Sequence, residues 1–171
     1  MSTVPRPRPP LPARLREQLI AVEPSVDGQL EYRPCQVTLV DGTTRDRVYV
    51  QEAAIWFDMW GVDPEDDDDK DLVPVERIAA IADSPTRLPA RFANRMYAAG
   101  ESAMGGCFFR LVLRDGRHVD CATGNAVDFP AWPDGVGPAD VVDLVPHEGR
   151  MSYDADPPPY AWALYEDRDD G

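Results

Sequence analysis

CQVTLVDGTTRDRVYVQE (residues 35–52) and CFFRLVLRDGRHVDCAT (residues 107–123) decide how this chain is read, because each sets an Asp-Gly pair between two runs of strand-forming residues. Asp41-Gly42 and Asp115-Gly116 are hairpin signals: Gly takes positive φ without steric cost, and Asp folds its side chain onto the turn backbone. Antiparallel strands are expected at residues 35–40 and 47–52, and again at 107–113 and 118–123. In the first hairpin Val37, Leu39, Val48 and Val50 alternate with other residues, the pattern of a sheet with one buried face. Residues 107–113 are more continuously apolar, which predicts deeper burial.

Outward from the hairpins, short matches recur in the same order at nearly constant spacing. Leu11-Pro12-Ala13-Arg14 returns as Leu88-Pro89-Ala90-Arg91. Ala54-Ile55-Trp56-Phe57-Asp58-Met59-Trp60 is echoed by Ala126-Val127-Asp128-Phe129-Pro130-Ala131-Trp132, and Asp71-Leu72-Val73-Pro74 by Asp143-Leu144-Val145-Pro146. Collinear matches of this kind are the mark of an internal repeat. Each half opens with apolar residues at helical spacing behind a proline: Leu15, Leu19 and Ile20, then Phe92, Met96 and Tyr97, with Gly100 as the second stop. The pairs Phe57/Trp60 and Phe129/Trp132 read as packing anchors. Residues 73–81 suit either a helix or two short strands around a turn.

The expected fold is therefore α+β, with two tandem pseudo-symmetric halves (residues 11–83 and 88–155). Each is a short helix plus an antiparallel β-hairpin, and the two pack as one domain over residues 11–155. A disordered Pro-rich arm (residues 1–10) is expected before it and an acidic tail (residues 156–171) after it. In that tail Tyr160, Trp162 and Leu164 alternate as strand residues do.

Composition narrows the function. With 31 Asp and Glu against 17 Lys and Arg, the 171-residue chain carries a net charge of -14 and is a poor binder of phosphate backbone, so no nucleic-acid partner is expected. Hydrophobic residues at 43% are enough for a core. Lys70, the one lysine, sits between Asp69 and Asp71, which leaves neither a phosphate-binding Walker loop nor a lysine in an apolar pocket. Cys35, Cys107 and Cys121 are odd in number and form no C-x-x-C, so neither a disulfide framework nor a zinc site is suggested, and a reducing cytoplasm is the expected location. Prolines interrupt residues 1–12 where an export signal needs an apolar run, and no segment has the length of a membrane span, so no membrane partner is expected.

The densest charge cluster is Asp63, Glu65, Asp66, Asp67, Asp68, Asp69 and Asp71. As a calcium loop it fails, since the sixth and twelfth positions counted from Asp63 are Asp68 and Pro74 where Gly and Glu are needed. Such blocks are solvated loops or contact surfaces for basic partners. The leading expectation is a non-enzymatic, acidic protein-binding module, of the kind an immunity-type or other stoichiometric inhibitor presents to a basic partner protein, with no cofactor and no metal. The alternative is a small-molecule site or enzyme pocket between the halves, using Glu101, Ser102, His147 and Glu148. Ser102 does not sit in a G-x-S-x-G elbow, because Met104 holds the second Gly position. His118 and His147 are the only histidines, too few for a multi-histidine metal centre.

Both ends carry peptide-like signals. Arg6-Pro7-Arg8-Pro9-Pro10-Leu11-Pro12 has the form of a basic, proline-rich ligand, and Pro157-Pro158-Pro159-Tyr160 has the PPxY form; their plainer reading is an extended arm and tail. The stretch YAAGESAMGGCFF (residues 97–109) resembles a segment of small bacterial proteins. That resemblance extends over the second half of the chain and implies no activity.

Overall fold

Both Asp-Gly pairs turn hairpins, and in the same way. Gly42 and Gly116 sit at φ 86° and 88°, a left-handed conformation that glycine takes without strain. Asp41 and Asp115 accept the amides of Thr43 and Arg117 on Oδ1, each at 2.9 Å. The computed structural model describes residues 5–168. These divide into a first unit (residues 5–23, 32–84 and 160–168) and a second (residues 24–31 and 85–159), with one hairpin in each.

In chain order the elements are α1 (Ala13–Ile20), β1 (Ser25–Asp27), β2 (Leu30–Tyr32), β3 (Pro34–Leu39), β4 (Thr44–Glu52), α2 (Ala53–Trp60), β5 (Ile78–Asp83), α3 (Ala90–Ala99), β6 (Cys107–Leu113), β7 (His118–Thr123), β8 (Val141–Pro146) and β9 (Ala161–Tyr165). The fold of the described residues is α+β, as the sequence pattern predicts.

In the first unit the sheet order is β5-β3-β4-β9. The first three strands run antiparallel and β9 lies parallel to β4, with Val48 opposite Ala161 and Glu52 opposite Tyr165. One face carries an aliphatic core in which Leu15 and Leu19 of α1 meet Val37, Val48, Val50, Ile78, Ile81 and Ala163. Ile20, expected on that face, is exposed, since a one-residue step from Leu19 rotates it about 100° around the helix. The other face of β4 and β9 is aromatic. Tyr49 stacks on Trp162 with ring centroids 4.8 Å apart, and Trp56 of α2 meets Trp162 edge-on at 6.3 Å. Buried residues therefore run consecutively through Val48, Tyr49, Val50 and Gln51, and β4 is covered on both faces rather than one.

The anchor on α2 is Trp56, fully buried, rather than the expected Phe57/Trp60 pair, of which Trp60 is exposed. Residues 73–81 form a 3₁₀ turn, Val75–Arg77, behind Pro74 and then β5. Pro74 suits the cap of that turn because it has no N–H to leave unsatisfied.

In the second unit β7, β6 and β8 form an antiparallel sheet, and α3 buries Phe92, Ala93, Met96 and Tyr97. Gly100 ends α3 at φ 77°, ψ -170°, a region open in practice only to glycine. The short ribbon of β1 and β2 is separate from both larger sheets.

Both units contain, in this order, a helix, a hairpin, a 3₁₀ turn and a third strand antiparallel to the first strand of the hairpin, although the first unit alone inserts α2 and a further 3₁₀ turn after its hairpin. A register shift falls at the same step in each, at Thr38/Leu39 and Val112/Leu113. Shared order does not by itself establish an internal duplication, because helix–hairpin–strand units follow from common packing rules. Two of the sequence echoes also occupy unlike places. Residues 54–60 are helical, whereas residues 126–132 are not; Pro130 removes the donor that a helix there would need. Asp143-Leu144-Val145-Pro146 lies in β8, whereas Asp71-Leu72-Val73-Pro74 precedes the 3₁₀ turn, and the third strand of that unit is β5.

Candidate partner-binding site

Asp63 opens a 3₁₀ turn, Pro64–Asp66, by accepting the Glu65 amide on its Oδ1 at 3.1 Å, with Pro64 at the first position. That turn aims Asp63, Glu65 and Asp66 at one place, and the place is filled by the Pro-rich arm. The Arg6 backbone N–H donates to Asp63 Oδ2 at 2.8 Å, and its guanidinium donates to Asp63 Oδ1 at 3.3 Å, Glu65 Oε2 at 2.8 Å and Asp66 Oδ1 at 2.8 Å. Arg8 donates to Asp63 Oδ1 at 2.9 Å and Glu65 Oε1 at 3.1 Å. Each guanidinium thus bridges carboxylates with several of its fixed donors, an arrangement that lysine cannot reproduce.

The electrostatics follow. Burial pushes the Asp63 carboxyl up, but the amides of Arg6 and Glu65 and the charges of Arg8 and Arg6 outweigh it and hold the group below the ordinary aspartate value. The Asp66 hydrogen bond raises the Arg6 guanidinium further. A group whose pKa is lowered in the docked state favours docking fully above its ordinary value and loses that contribution as pH falls through the docked value. The Arg6 amide resonance should therefore be constant from pH 7 to 5 and titrate with a midpoint below the ordinary 3.8. NMR chemical shifts would check this, and a midpoint near neutrality would tie the amide to some other group.

The rest of the acidic run is more open. Asp68, Asp69 and Asp71 are exposed, while Asp66 and Asp67 are half-buried. Asp71 pairs with Arg45, and Lys70 lies 4.0 Å from Asp67 and 4.5 Å above the Trp60 ring centroid. Surface pairs of this kind add little stability.

Two clefts border the arm. One of about 190 Å³ is lined by Pro7, Arg8 and Pro9 of the arm and by Glu65, Leu72, Val75, Trp162 and Leu164 among others. The second, of about 290 Å³, is lined by Pro5, Arg6, Glu52, Ala53, Ala54 and Glu166 among others. The Arg8 amide donates to Glu166 Oε1 at 2.7 Å and the Glu166 amide to Pro9 O at 3.1 Å. The arm expected to be disordered therefore carries a dense set of contacts over residues 6–10, and the segment expected as an acidic tail supplies β9 and Glu166. In the sequence Arg6, Arg8 and the acidic run stand as separate features, and the one signal that could pair them is their opposite charge.

Glu101, Ser102, His147 and Glu148 all lie in the second unit. A backbone bond from Gly149 N to Ser102 O joins their two loops, and His147 N donates to Phe108 O of β6, both at 2.9 Å. The Ser102 hydroxyl is used locally, accepting the Phe108 amide at 3.0 Å and donating to Phe108 O at 3.2 Å. Glu101, His147 and Glu148 are exposed, and neither cleft described above is lined by any of the four.

Cys35, Cys107 and Cys121 are buried, and none of them is in a disulfide among the described residues. Burial pushes Cys121 up to about 12 and Cys107 in the same direction, so these groups serve as small hydrophobes rather than nucleophiles. Among the described residues no group of three or more His, Cys, Asp or Glu is placed to hold a metal ion, and no helix is long and apolar enough to cross a membrane.

A cluster that sequence reading missed lies in the second unit. Asp128, fully buried, accepts the hydroxyls of Ser25 and Tyr97, and Arg87 donates to Ser25 Oγ at 3.0 Å. No local pattern marks Asp128 for this role, since its partners come from distant parts of the sequence.

No protein-family model, no curated protein and no solved structure matches this chain, so its chemistry is read from its own geometry.

Proposed function

We propose that this protein is a non-enzymatic binding module that engages a basic protein partner through the acidic surface of residues 63–71, in the manner of an immunity-type or other stoichiometric inhibitor. One observation carries the reading: the 3₁₀ turn of Asp63, Glu65 and Asp66 already holds two guanidinium groups, each across more than one carboxylate. A surface that binds arginine within its own chain has the chemistry to bind arginine on another. The exposed carboxylates of Asp68, Asp69 and Asp71 extend it with charge that speeds and orients encounter more than it tightens the complex.

Capture on the immobilised native chain at low and high salt tests the reading, beside a chain carrying Asp66→Asn, Asp67→Asn, Asp68→Asn and Asp69→Asn. The expected result is a stoichiometric basic protein held at low salt, released at high salt and lost to the variant. Retention of the same partner by the variant would overturn the assignment.

A further inference from the structure

The arm that fills the acidic turn has the properties of a ligand more than those of a structural element. In Arg6-Pro7-Arg8-Pro9-Pro10 the prolines fix φ and favour an extended polyproline path, which lowers the entropy lost on docking. Its alternate residues divide the work of recognition. Arg6 and Arg8 present amides and guanidinium groups to Asp63, Glu65, Asp66 and Glu166, while Pro7 and Pro9 wall the cleft faced by Leu72, Val75, Trp162 and Leu164.

Acidic side chains that grip arginine, beside a cleft that Pro7 and Pro9 line together with Trp162 and aliphatic side chains, resemble the general chemistry by which proteins read basic proline-rich segments. The Asp63 side chain is 1% exposed with the arm in place, so the arm closes the site rather than resting on its rim. Beyond Pro10 the chain enters the core at Leu11, itself 1% exposed. That anchor sets a short tether, and short tethers give effective concentrations in the millimolar range.

Resting on the reading above and extending it, we propose that the arm is an intramolecular competitor. The acidic turn and its cleft form a receptor for an extended Arg-Pro-Arg segment of a partner protein; the chain's own Arg6-Pro7-Arg8-Pro9 closes that receptor, and the partner's segment opens it by displacement. Recognition requires two arginines spaced by two on an extended path, which separates such a partner from a protein that is merely basic.

The test uses a fluorescent peptide of sequence Arg-Pro-Arg-Pro-Pro-Leu-Pro and full-length protein at low salt, read by anisotropy. A chain carrying Arg6→Ala and Arg8→Ala should bind the peptide at least about tenfold more tightly than the native chain, whose arm competes. Adding Glu65→Gln and Asp66→Asn to the opened chain should reverse the gain, whereas adding Asp68→Asn and Asp69→Asn should leave most of it. Asp63 is left intact because it caps the 3₁₀ turn, and circular dichroism of each variant establishes that it is folded.

Equal peptide affinity for native and opened chains, or no binding to either, would overturn the proposal. A concentration-dependent dimer of the native chain that disappears with Arg6→Ala and Arg8→Ala would also overturn it, by assigning the arm to a second copy. If the peptide fails while a basic partner is still lost on neutralising residues 66–69, this inference falls and the broader reading stands. If the peptide binds but capture yields no basic partner, the receptor stands and the broader reading falls.

Discussion

Asp128→Ala should destabilise the second unit by about 3–5 kcal/mol, the range for breaking one side of a buried charged network. The carboxylate is fully buried and accepts two hydroxyls, from Ser25 and from Tyr97 at 2.6 Å. Tyr97 in turn accepts the Val127 amide at 3.2 Å, and Arg87 reaches the cluster through Ser25. Alanine would leave both hydroxyls without their acceptor, with a guanidinium close by in a space that excludes water. Each orphaned buried donor costs about 1–3 kcal/mol. Asp128→Asn should cost less, since its amide oxygen still accepts one hydroxyl, although its NH₂ then faces a second donor. Hydrogen exchange at the Leu111 amide, in the central strand β6, reads the loss in that unit alone. A change below about 1 kcal/mol would mean that the network does not depend on the carboxylate.

Trp162→Ala should cost the first unit about 3–5 kcal/mol, as large aromatic truncations in close-packed cores do. Trp162 is 3% exposed and stacks on Tyr49, with Tyr32, Trp56 and Tyr160 meeting it at wide interplanar angles. Removing the indole empties the centre of that group while leaving the backbone bonds from Trp162 N to Asp71 O and from Val73 N to Trp162 O in place, each 2.8 Å. The destabilisation therefore measures packing rather than pairing. Trp162→Phe, which keeps an aromatic face, should lose less than half as much. Urea unfolding followed by near-ultraviolet circular dichroism separates the two, and equal losses for Ala and Phe would point to strain at the site rather than to lost packing.

These two residues also mark where the sequence stopped being legible. The hairpins were readable because Asp-Gly turn chemistry is local, and α1 and α3 because helical spacing is local too. Gly100 announced the end of α3 for the same reason. By contrast β9 joins β4 in parallel from the far end of the chain. The alternation of Tyr160, Trp162 and Leu164 showed a strand-like pattern without naming its neighbour, because parallel pairing has no turn to fix it. Asp128 was hidden inside an apparent echo of residues 54–60, where it stands opposite Trp56 and Pro130 stands opposite Asp58, and that proline makes the two segments unlike in structure. In the candidate site the acidic run and the Arg-Pro arm were each visible as composition. Their joining was not, since charge complementarity across more than fifty residues leaves no periodic trace.

The parallel strand β9 has a consequence for how the protein is made. Synthesis runs from the amino end, so the sequence of the second unit is complete at residue 159, before the strand that finishes the first unit exists. Until residues 161–165 leave the ribosome, β4 presents an open, hydrophobic edge, the kind of surface that pairs with other chains. The unit that holds both the earliest and the latest described residues is thus the last to close, and a nascent chain stalled shortly before Ala161 is the form most exposed to aggregation.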